Sequence, residues 1–328
     1  MQFFDRFRRA LARYADGVHD LGAPAIKPAL AVAASTVGPL PPAYVDFLTQ
    51  WNGAFLFLDS LRLFGVEGAH PELLGLRRDE RGLRIGEAHG ETLYLDDQGR
   101  VLAWDAATES GSVVGSDFVR WLDAVMAREA LLLGRDGEFR EEAFVDGEVD
   151  PRVARKRNAA AIKADPDAPA WHGELAELLE ESGDLDGAIV ALQRTVTLDP
   201  ACAAAWFSLG RLLRQRGDDA SALAAYREAG GRERDPAEAG FAYAQAAAAA
   251  LRLGDQTTAR ELAAQARATH PELLDEQRGA AEHLVAAGEL DEGLARLELA
   301  RVLAPEDEAV AQLLSLARAR RSLRPLPR

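Results

Sequence analysis

The sequence has very few residues of the types that hold metals or carry redox chemistry. It contains one cysteine, Cys202, among 328 residues, and a single cysteine can form neither an internal disulfide nor a thiolate cluster. Its six histidines are scattered, and none belongs to an HExxH pair. They are His19, His70, His89, His172, His270 and His283. We therefore expect no metal site and no cofactor.

Long apolar runs are missing too. No stretch approaches the ~20 apolar residues that a membrane-spanning helix requires, and the first residues lack the uninterrupted apolar segment of a signal peptide. The glycine motifs that bind phosphates and the GxSxG nucleophile motif are absent as well. The sequence thus predicts a cytoplasmic protein that is not an enzyme and that acts by binding.

The sequence has few basic residues, and lysine is especially rare. The only lysines are Lys27, Lys156 and Lys163, and 53 acidic residues outnumber 38 basic ones to give a net charge of −15. Nucleic acids and anionic membranes are polyanions that such a chain repels. We expect a protein partner, no nucleic acid and no membrane.

The second half of the chain has an internal repeat. A glycine followed by an acidic residue recurs every 34 to 37 residues, and a proline follows each pair. The pairs are Gly183-Asp184, Gly217-Asp218, Gly254-Asp255 and Gly288-Glu289, and the prolines are Pro200, Pro236, Pro271 and Pro305. Glycine suits the left-handed end of a first helix, and the acidic residue suits the start of a second. Each unit therefore predicts a helical hairpin, and hairpins of this kind stack into a solenoid.

These units resemble the tetratricopeptide repeat, and the second unit matches best, with Trp206, Leu209, Gly210, Ala222 and Tyr226. The predicted solenoid covers 153–328: a half-unit at 153–166, units at about 169–200, 203–236, 240–271 and 274–305, and a capping helix at 307–321. A generic helical bundle is the alternative. The resemblance implies that the first helix of each unit lines a concave groove.

Nine residues match groove positions of the repeat family. They are Glu177, Phe207, Arg211, Arg214, Phe241, Gln245, Arg252, Arg278 and Glu282. The arginines are suited to receive a carboxylate or an acidic segment; the alternative is that they are ordinary solvated charges on helix faces. Lysines and asparagines that would clamp a peptide carboxylate are missing from the corresponding positions, which disfavours binding of chaperone tails.

The first half, 1–131, predicts an α+β domain with helices and an antiparallel sheet. Short β-rich runs occur at Phe55–Leu58, Leu83–Ile85, Thr92–Leu95 and Val101–Trp104. Asp96-Asp97-Gln98-Gly99 predicts a hairpin turn between the last two, and a helix capped by Ser116 or Asp117 closes the domain. The segment 132–152 predicts an acidic, solvated connector with a short hairpin or turn, because it lacks the alternating oxygen ligands of a calcium loop.

The order of residues in this half resembles the SUKH superfamily, which includes yeast cell-wall-synthesis regulators and bacterial immunity proteins. The residues that carry the resemblance, the family landmarks, are Leu40, Pro41, Tyr44, Trp51, Asn52, Gly53, Trp104 and Trp121. The family usually has Asn-Gly-Gly where this chain has Asn52-Gly53-Ala54. The resemblance implies recognition of a protein, often neutralisation of a toxin.

Two functions follow from these expectations. In the first, the protein is a SUKH-type immunity protein that binds a toxin or effector and uses the repeats as a second contact surface. In the alternative, it is a scaffold or adaptor in a regulatory complex, and the repeats are the main binding element.

Overall fold

The structure, a computed structural model, describes residues 2–68 and 71–323. His70 therefore lies outside the described residues. The chain divides into two units, Met1–Asp184 and Leu185–Arg328. The division falls later than the predicted start of the solenoid at residue 153, so two of the predicted repeat helices are counted with the first unit. The predicted domain boundaries stay a prediction.

The first unit contains an antiparallel sheet flanked by helices. Its helices are α1 (Gln2–Leu11), α2 (Lys27–Val37), α3 (Pro42–Leu48), α4 (Phe118–Glu129), α5 (Pro151–Ala164) and α6 (Pro169–Glu181). Its strands are β1 (Asp20–Leu21), β2 (Ala54–Leu56), β3 (Leu61–Leu63), β4 (Arg77–Asp79), β5 (Gly82–Ala88), β6 (Glu91–Leu95), β7 (Val101–Asp105), β8 (Ser110–Gly115), β9 (Phe144–Val145) and β10 (Glu148–Val149).

Strands β1 to β8 form one sheet in the order β1-β2-β3-β5-β6-β7-β8, and β4 pairs with β5. The four predicted strands are all in it, and the predicted α+β architecture of this region is confirmed. The first predicted strand ends early, because Phe57, Leu58 and Asp59 adopt positive φ angles of 54°, 55° and 65° and turn the chain into β3. The turn at Gly99 has a φ of 80°, as the hairpin requires.

The core of this unit is aromatic. Tyr44 and Phe47 of α3 are fully buried against Phe118 of α4, with ring centroids 5.1 and 5.6 Å from the Phe118 ring. The hydroxyl of Tyr44 donates to the carbonyl oxygens of Phe64 (2.5 Å) and Ile85 (3.0 Å). A buried tyrosine needs such partners, and these two join α3 to the sheet.

The segment after α4 is not solvated along its whole length. Its first part packs against the unit, so the prediction of a solvated connector is wrong for that part. Leu132 and Leu133 are buried, and the amide of Ala15 donates to the carbonyl of Arg135 at 2.6 Å. The hairpin expected in the segment is formed by β9 and β10. Apolar side chains at the start of an otherwise acidic segment explain why it packs.

Helix α5 packs against α4 within the same unit. Asp165 follows α5 and is fully buried, and its carboxylate accepts hydrogen bonds from the amide (2.8 Å) and hydroxyl (2.5 Å) of Ser116. Arg157 of α5 pairs with Glu129 of α4 at 2.9 Å. These buried polar contacts, rather than apolar burial alone, fix α5 beside α4.

The second unit is all-helical, as predicted. Its helices are α7 (Leu185–Leu198), α8 (Ala203–Arg216), α9 (Asp219–Arg232), α10 (Pro236–Arg252), α11 (Gln256–Thr269), α12 (Leu273–Ala287), α13 (Leu290–Leu303) and α14 (Glu308–Ser322). Neighbours in sequence pack as hairpins. Gly217 and Gly288 end α8 and α12 with φ angles of 87° and 86°, and Asp218 caps α9 by accepting from the amide of Ser221.

In one repeat the proline begins a helix. Pro236 is the first residue of α10, where its missing N–H costs nothing, and Asp235 before it caps that helix. Gly230 and Gly231 lie inside α9, near its end. Gly230 is required there because a Cβ would come within 2.9 Å of the Tyr243 ring.

Within the described ranges, none of the helices combines the length and apolarity needed to cross a membrane.

Candidate functional site

An aromatic pair lies on the first helices of two consecutive repeats. The rings of Phe207 on α8 and Phe241 on α10 are 5.7 Å apart, and Phe207 makes an edge contact of 5.3 Å with Tyr226 on α9. Phe207 and Phe241 are each partly exposed, whereas Tyr226 is buried. Phe207 lies 10 residues before Gly217 and Phe241 lies 13 residues before Gly254. The two rings therefore come from different positions of the repeat, about one helical turn apart, and meet where α8 packs beside α10.

Three arginines lie near Tyr226, and we call Arg211, Arg214 and Arg252 the arginine cluster. Burial raises the pKa of the Tyr226 hydroxyl, and the charges of Arg214, Arg252 and Arg211 oppose that rise.

Helical spacing explains how α8 contributes to this cluster. Phe207, Arg211 and Arg214 are four and then three residues apart, a spacing that places side chains on one face of a helix. Arg252 comes from the last turn of α10, and its Nε donates to the carboxylate of Asp219 at 2.6 Å. The carboxylate of Asp219 thus offsets the charge of Arg252.

The other groove candidates are not part of this cluster. Arg278 on α12 is engaged by two carboxylates, with 2.6 Å to Asp275 and 3.7 Å to Asp307, and so fits the alternative of an ordinary helix-face charge. Gln245 is partly buried on α10, and Glu282 is exposed on α12.

Glu177 is the one groove candidate in the first unit, on α6. Partial burial raises the pKa of its carboxyl, and the neighbouring carboxylates of Glu174, Glu181 and Glu180 raise it further. This face of α6 is therefore acidic.

Most of the family landmarks in the first unit are core residues. Tyr44, Trp51 and Trp121 are buried, and Leu40 and Pro41 precede the turn into α3, with Pro41 at its N-cap. Trp104 is partly exposed, and the guanidinium of Arg81 lies 4.0 Å from its ring centroid, which is a cation–π distance. Packing accounts for these positions without a ligand.

Asn52 and Gly53 fix a chain crossing. The Asn52 side chain donates to the carbonyl of Glu67 and accepts from the amide of Val66 at 2.7 Å. Gly53 has a φ of 90°, and a Cβ there would lie 3.0 Å from the backbone nitrogen of Gly65. The landmark sequence therefore has a structural role in this chain: it holds two segments together.

Sequence reasoning did not single out Tyr226 as the centre of the cluster, because its match to a packing position of the repeat suggested only a core role. Asp219 was also missed. Its position directly after a glycine-acid pair suggested a helix start and gave no sign of a pairing with Arg252 one repeat later. Across residues 2–68 and 71–323, no three His, Cys, Asp or Glu side chains are grouped so that they could hold a metal ion.

Comparison with known families supports tetratricopeptide repeats in part of the chain. The model of the Tetratricopeptide repeat family matches residues 150–200 and 183–239. These ranges include α5 and α6 of the first unit and α7 to α9 of the second. The repeat prediction is confirmed there, and nothing in the comparisons supports a SUKH domain. No curated protein matches the chain.

Solved structures with some similarity include three proteins. A crystal structure of MamA protein is 20% identical, covers 48% of this chain and 84% of its own, and has a TM-score of 0.32. YrrB, described as a TPR protein with an unusual peptide-binding site, is 16% identical over 51% of this chain and 84% of its own, with a TM-score of 0.33. Pseudomonas aeruginosa pilF is 15% identical over 52% and 78%, with a TM-score of 0.36. No conclusion is drawn from likeness at this level.

Proposed function

We propose that this protein is a scaffold or adaptor of the tetratricopeptide-repeat type, which works in the cytoplasm and holds an acidic segment of a partner protein. The segment binds the groove surface, which we define as Phe207, Phe241 and the arginine cluster Arg211, Arg214 and Arg252. The observation that carries the proposal is the partly exposed aromatic pair of Phe207 and Phe241, with Arg211 and Arg214 on the same face of α8 as Phe207.

The chemistry of this surface favours an acidic peptide with an aromatic or apolar side chain. Guanidinium groups bind carboxylates through charge-assisted, often paired hydrogen bonds. The Phe207 and Phe241 rings offer apolar area for a side chain of the same peptide.

Fluorescence anisotropy with the full-length chain tests the proposal. The probes are labelled peptides of equal length: one that alternates acidic residues with phenylalanine, one in which serine replaces the phenylalanines, and one in which lysine replaces the acidic residues. We expect the first peptide to bind best, the second more weakly, and the third not at all. Replacement of both Arg211 and Arg214 by glutamate should weaken binding of the first peptide by at least about a hundredfold.

The matched control reverses the same charge on another helix. Arg260 and Arg267 lie on α11 and are exposed, so Arg260→Glu with Arg267→Glu changes net charge equally without touching the groove surface. Equal loss of binding in both double variants would show that net charge, and not this surface, determines affinity. The proposal would then fail.

A second function, neutralisation of a toxin by the first unit, rests on the SUKH resemblance alone. The landmarks that carry this resemblance have packing roles in the structure, so the scaffold function is the better supported of the two. Co-expression with the product of a neighbouring effector gene decides between them. Protection that survives Arg211→Glu with Arg214→Glu would favour the first unit as the binding element.

A further inference from the structure

The first unit contains a pocket of about 450 Å³ between α1, α4 and the segment that follows α4. Its floor is apolar: Phe7, Met126 and Leu133 are buried, and Ala127 and Ala130 lie beside them. Pockets of this size, apolar with a few polar groups, are typical of sites that bind small organic molecules or short chain segments.

The rim of this pocket is basic although the chain carries a net charge of −15. Four guanidinium groups line it, from Arg6, Arg13, Arg135 and Arg140, against the single carboxylate of Asp123. Asp123 is paired with Arg6, so its charge is already neutralised. The remaining three arginines leave an excess of positive charge at the pocket mouth.

Two of these arginines have no protein partner. Among residues 2–68 and 71–323, no hydrogen bond or ion pair holds the side chain of Arg13 or Arg135. Arg140 donates to the carbonyl of Leu133 at 3.1 Å and lies 4.0 Å from the carboxylate of Glu142, the outer limit of an ion pair. Guanidinium groups that share one rim without counter-ions repel one another, and an anion bound there relieves that repulsion.

Tyr14 adds a neutral donor to the rim. Burial raises the pKa of Tyr14, and the negative charge of Glu129 adds to that rise, while the charges of Arg140 and Arg135 oppose it only in part. Its hydroxyl therefore keeps its proton at neutral pH and is able to donate to an oxygen anion. The position of the Tyr14 ring is fixed by edge contacts with His19 at 4.8 Å and Phe57 at 6.4 Å.

We propose that this pocket binds an organic carboxylate with an apolar body, whose carboxylate lies between Arg13, Arg135 and Arg140 and whose apolar part covers Phe7, Met126 and Leu133. The rim alone would suit inorganic phosphate equally, but phosphate leaves the apolar floor unfilled. A free aliphatic acid and the C-terminus of a protein with an apolar last residue both have the required chemistry. The proposal does not depend on the groove surface of the second unit.

Isothermal titration calorimetry with the full-length chain tests this site. The probes are octanoate, its neutral counterpart octanamide, N-acetyl-Leu-Leu as free acid and as amide, and inorganic phosphate. We expect at least one of the two acids to bind with a Kd below about 1 mM. Its amide and inorganic phosphate should bind at least about tenfold more weakly. Preference for octanoate identifies a free acid as the ligand, and preference for the dipeptide identifies a protein C-terminus.

Variants locate the binding. Arg13→Gln with Arg135→Gln should weaken binding of the preferred acid at least about tenfold. The control, Arg152→Gln with Arg155→Gln, removes the same charge from exposed positions on α5 and should change the Kd less than about twofold. Arg211→Glu with Arg214→Glu should leave the acid bound, which separates this site from the groove surface.

Three results would overturn the proposal. They are no saturable binding of either acid, equal binding of acid and amide, and equal loss in the pocket and control variants. Ala127→Leu, which fills part of the pocket floor, gives an independent check. It should weaken binding of the preferred acid and leave any adventitious binding of phosphate unchanged.

Discussion

The helix pair α8–α9 depends on a glycine whose neighbours leave no room for a methyl group. A Cβ on Gly210 would lie 2.8 to 3.0 Å from ring carbons of Tyr226, well inside the 3.5–4.0 Å of an ordinary carbon contact. The ring has little room to move, because Tyr226 is 1% exposed and contacts Phe207. Gly210→Ala is therefore a sharp probe of the packing.

Two effects of opposite sign set the magnitude. Alanine is a better helix former than glycine by about 1 kcal/mol, whereas an extra methyl group in a filled core costs about 1–3 kcal/mol. Because the Tyr226 ring is held on several sides, the cost falls in the upper part of that range. We expect Gly210→Ala to lower the free energy of unfolding of the second unit by about 1.5 kcal/mol.

Gly279 provides the matched control. It lies inside α12, and nothing is within 4 Å of the Cβ that a substitution would add. Gly279→Ala should therefore show the helix-propensity gain alone and raise the free energy of unfolding by about 0.5–1 kcal/mol. The same chemical change thus has opposite signs at two helix positions of one unit.

Urea unfolding followed by far-UV circular dichroism measures both variants. With a slope of about 2 kcal/mol per molar urea, the midpoint of the helical transition should fall by about 0.7 M for Gly210→Ala and rise by about 0.3 M for Gly279→Ala. Stabilisation by both substitutions would refute the packing of Gly210 against Tyr226.

Three further substitutions probe the first unit. Asp165→Ala removes both oxygens that accept hydrogen bonds from Ser116, and it should lower the free energy of unfolding in urea by about 2–3 kcal/mol. Asp165→Asn keeps one acceptor and should cost clearly less. Equal losses would contradict the hydrogen-bond explanation. Asn52→Ala leaves the amide of Val66 unsatisfied and should cost about 2 kcal/mol, and a neutral result would show that the chain crossing does not need it. Burial lowers the pKa of His19 to about 4 from an unfolded value of about 6.5. The neutral imidazole therefore stabilises the fold fully above pH 6.5, and this stabilisation is lost as the pH falls towards 4. It amounts to about 2 kcal/mol once the pKa difference is discounted for the partial exposure of the ring. His19→Gln should reduce the decrease in the urea midpoint between pH 7 and pH 4.5. An unchanged decrease would show that other groups cause the pH dependence.

The helix ends of the second unit could be predicted because their signals are local. Gly217 and Gly288 adopt left-handed conformations, and Asp218 accepts a hydrogen bond from a residue three positions later. Each of these effects depends on neighbours within one turn. Because the same local signals recur in four units at a regular spacing, the all-helical array could be predicted from the sequence alone.

Contacts between distant segments could not be predicted in the same way. Helix α2, from Lys27 to Val37, begins without a side-chain cap and has no buried residue, so it lacks both the capping signal and the apolar periodicity. The burial of Asp165 depends on Ser116, which a repeat pattern does not reveal. Arg13 and Arg135 are likewise far apart in sequence and are brought to one pocket only by the packing of the segment after α4.

We do not expect the two basic surfaces of this acidic chain to attract all anions equally. At physiological ionic strength, charges more than about 8 Å apart are largely screened, so a short carboxylate near a guanidinium group experiences the local positive charge and little of the net −15. A long polyanion extends past each arginine group and meets the surrounding acidic surface, which repels it. Both the groove surface and the arginine-rimmed pocket also place their guanidinium groups beside apolar side chains, where the attraction is less weakened by water. We therefore expect both proposed sites to favour short anionic groups that carry apolar parts over long polyanions.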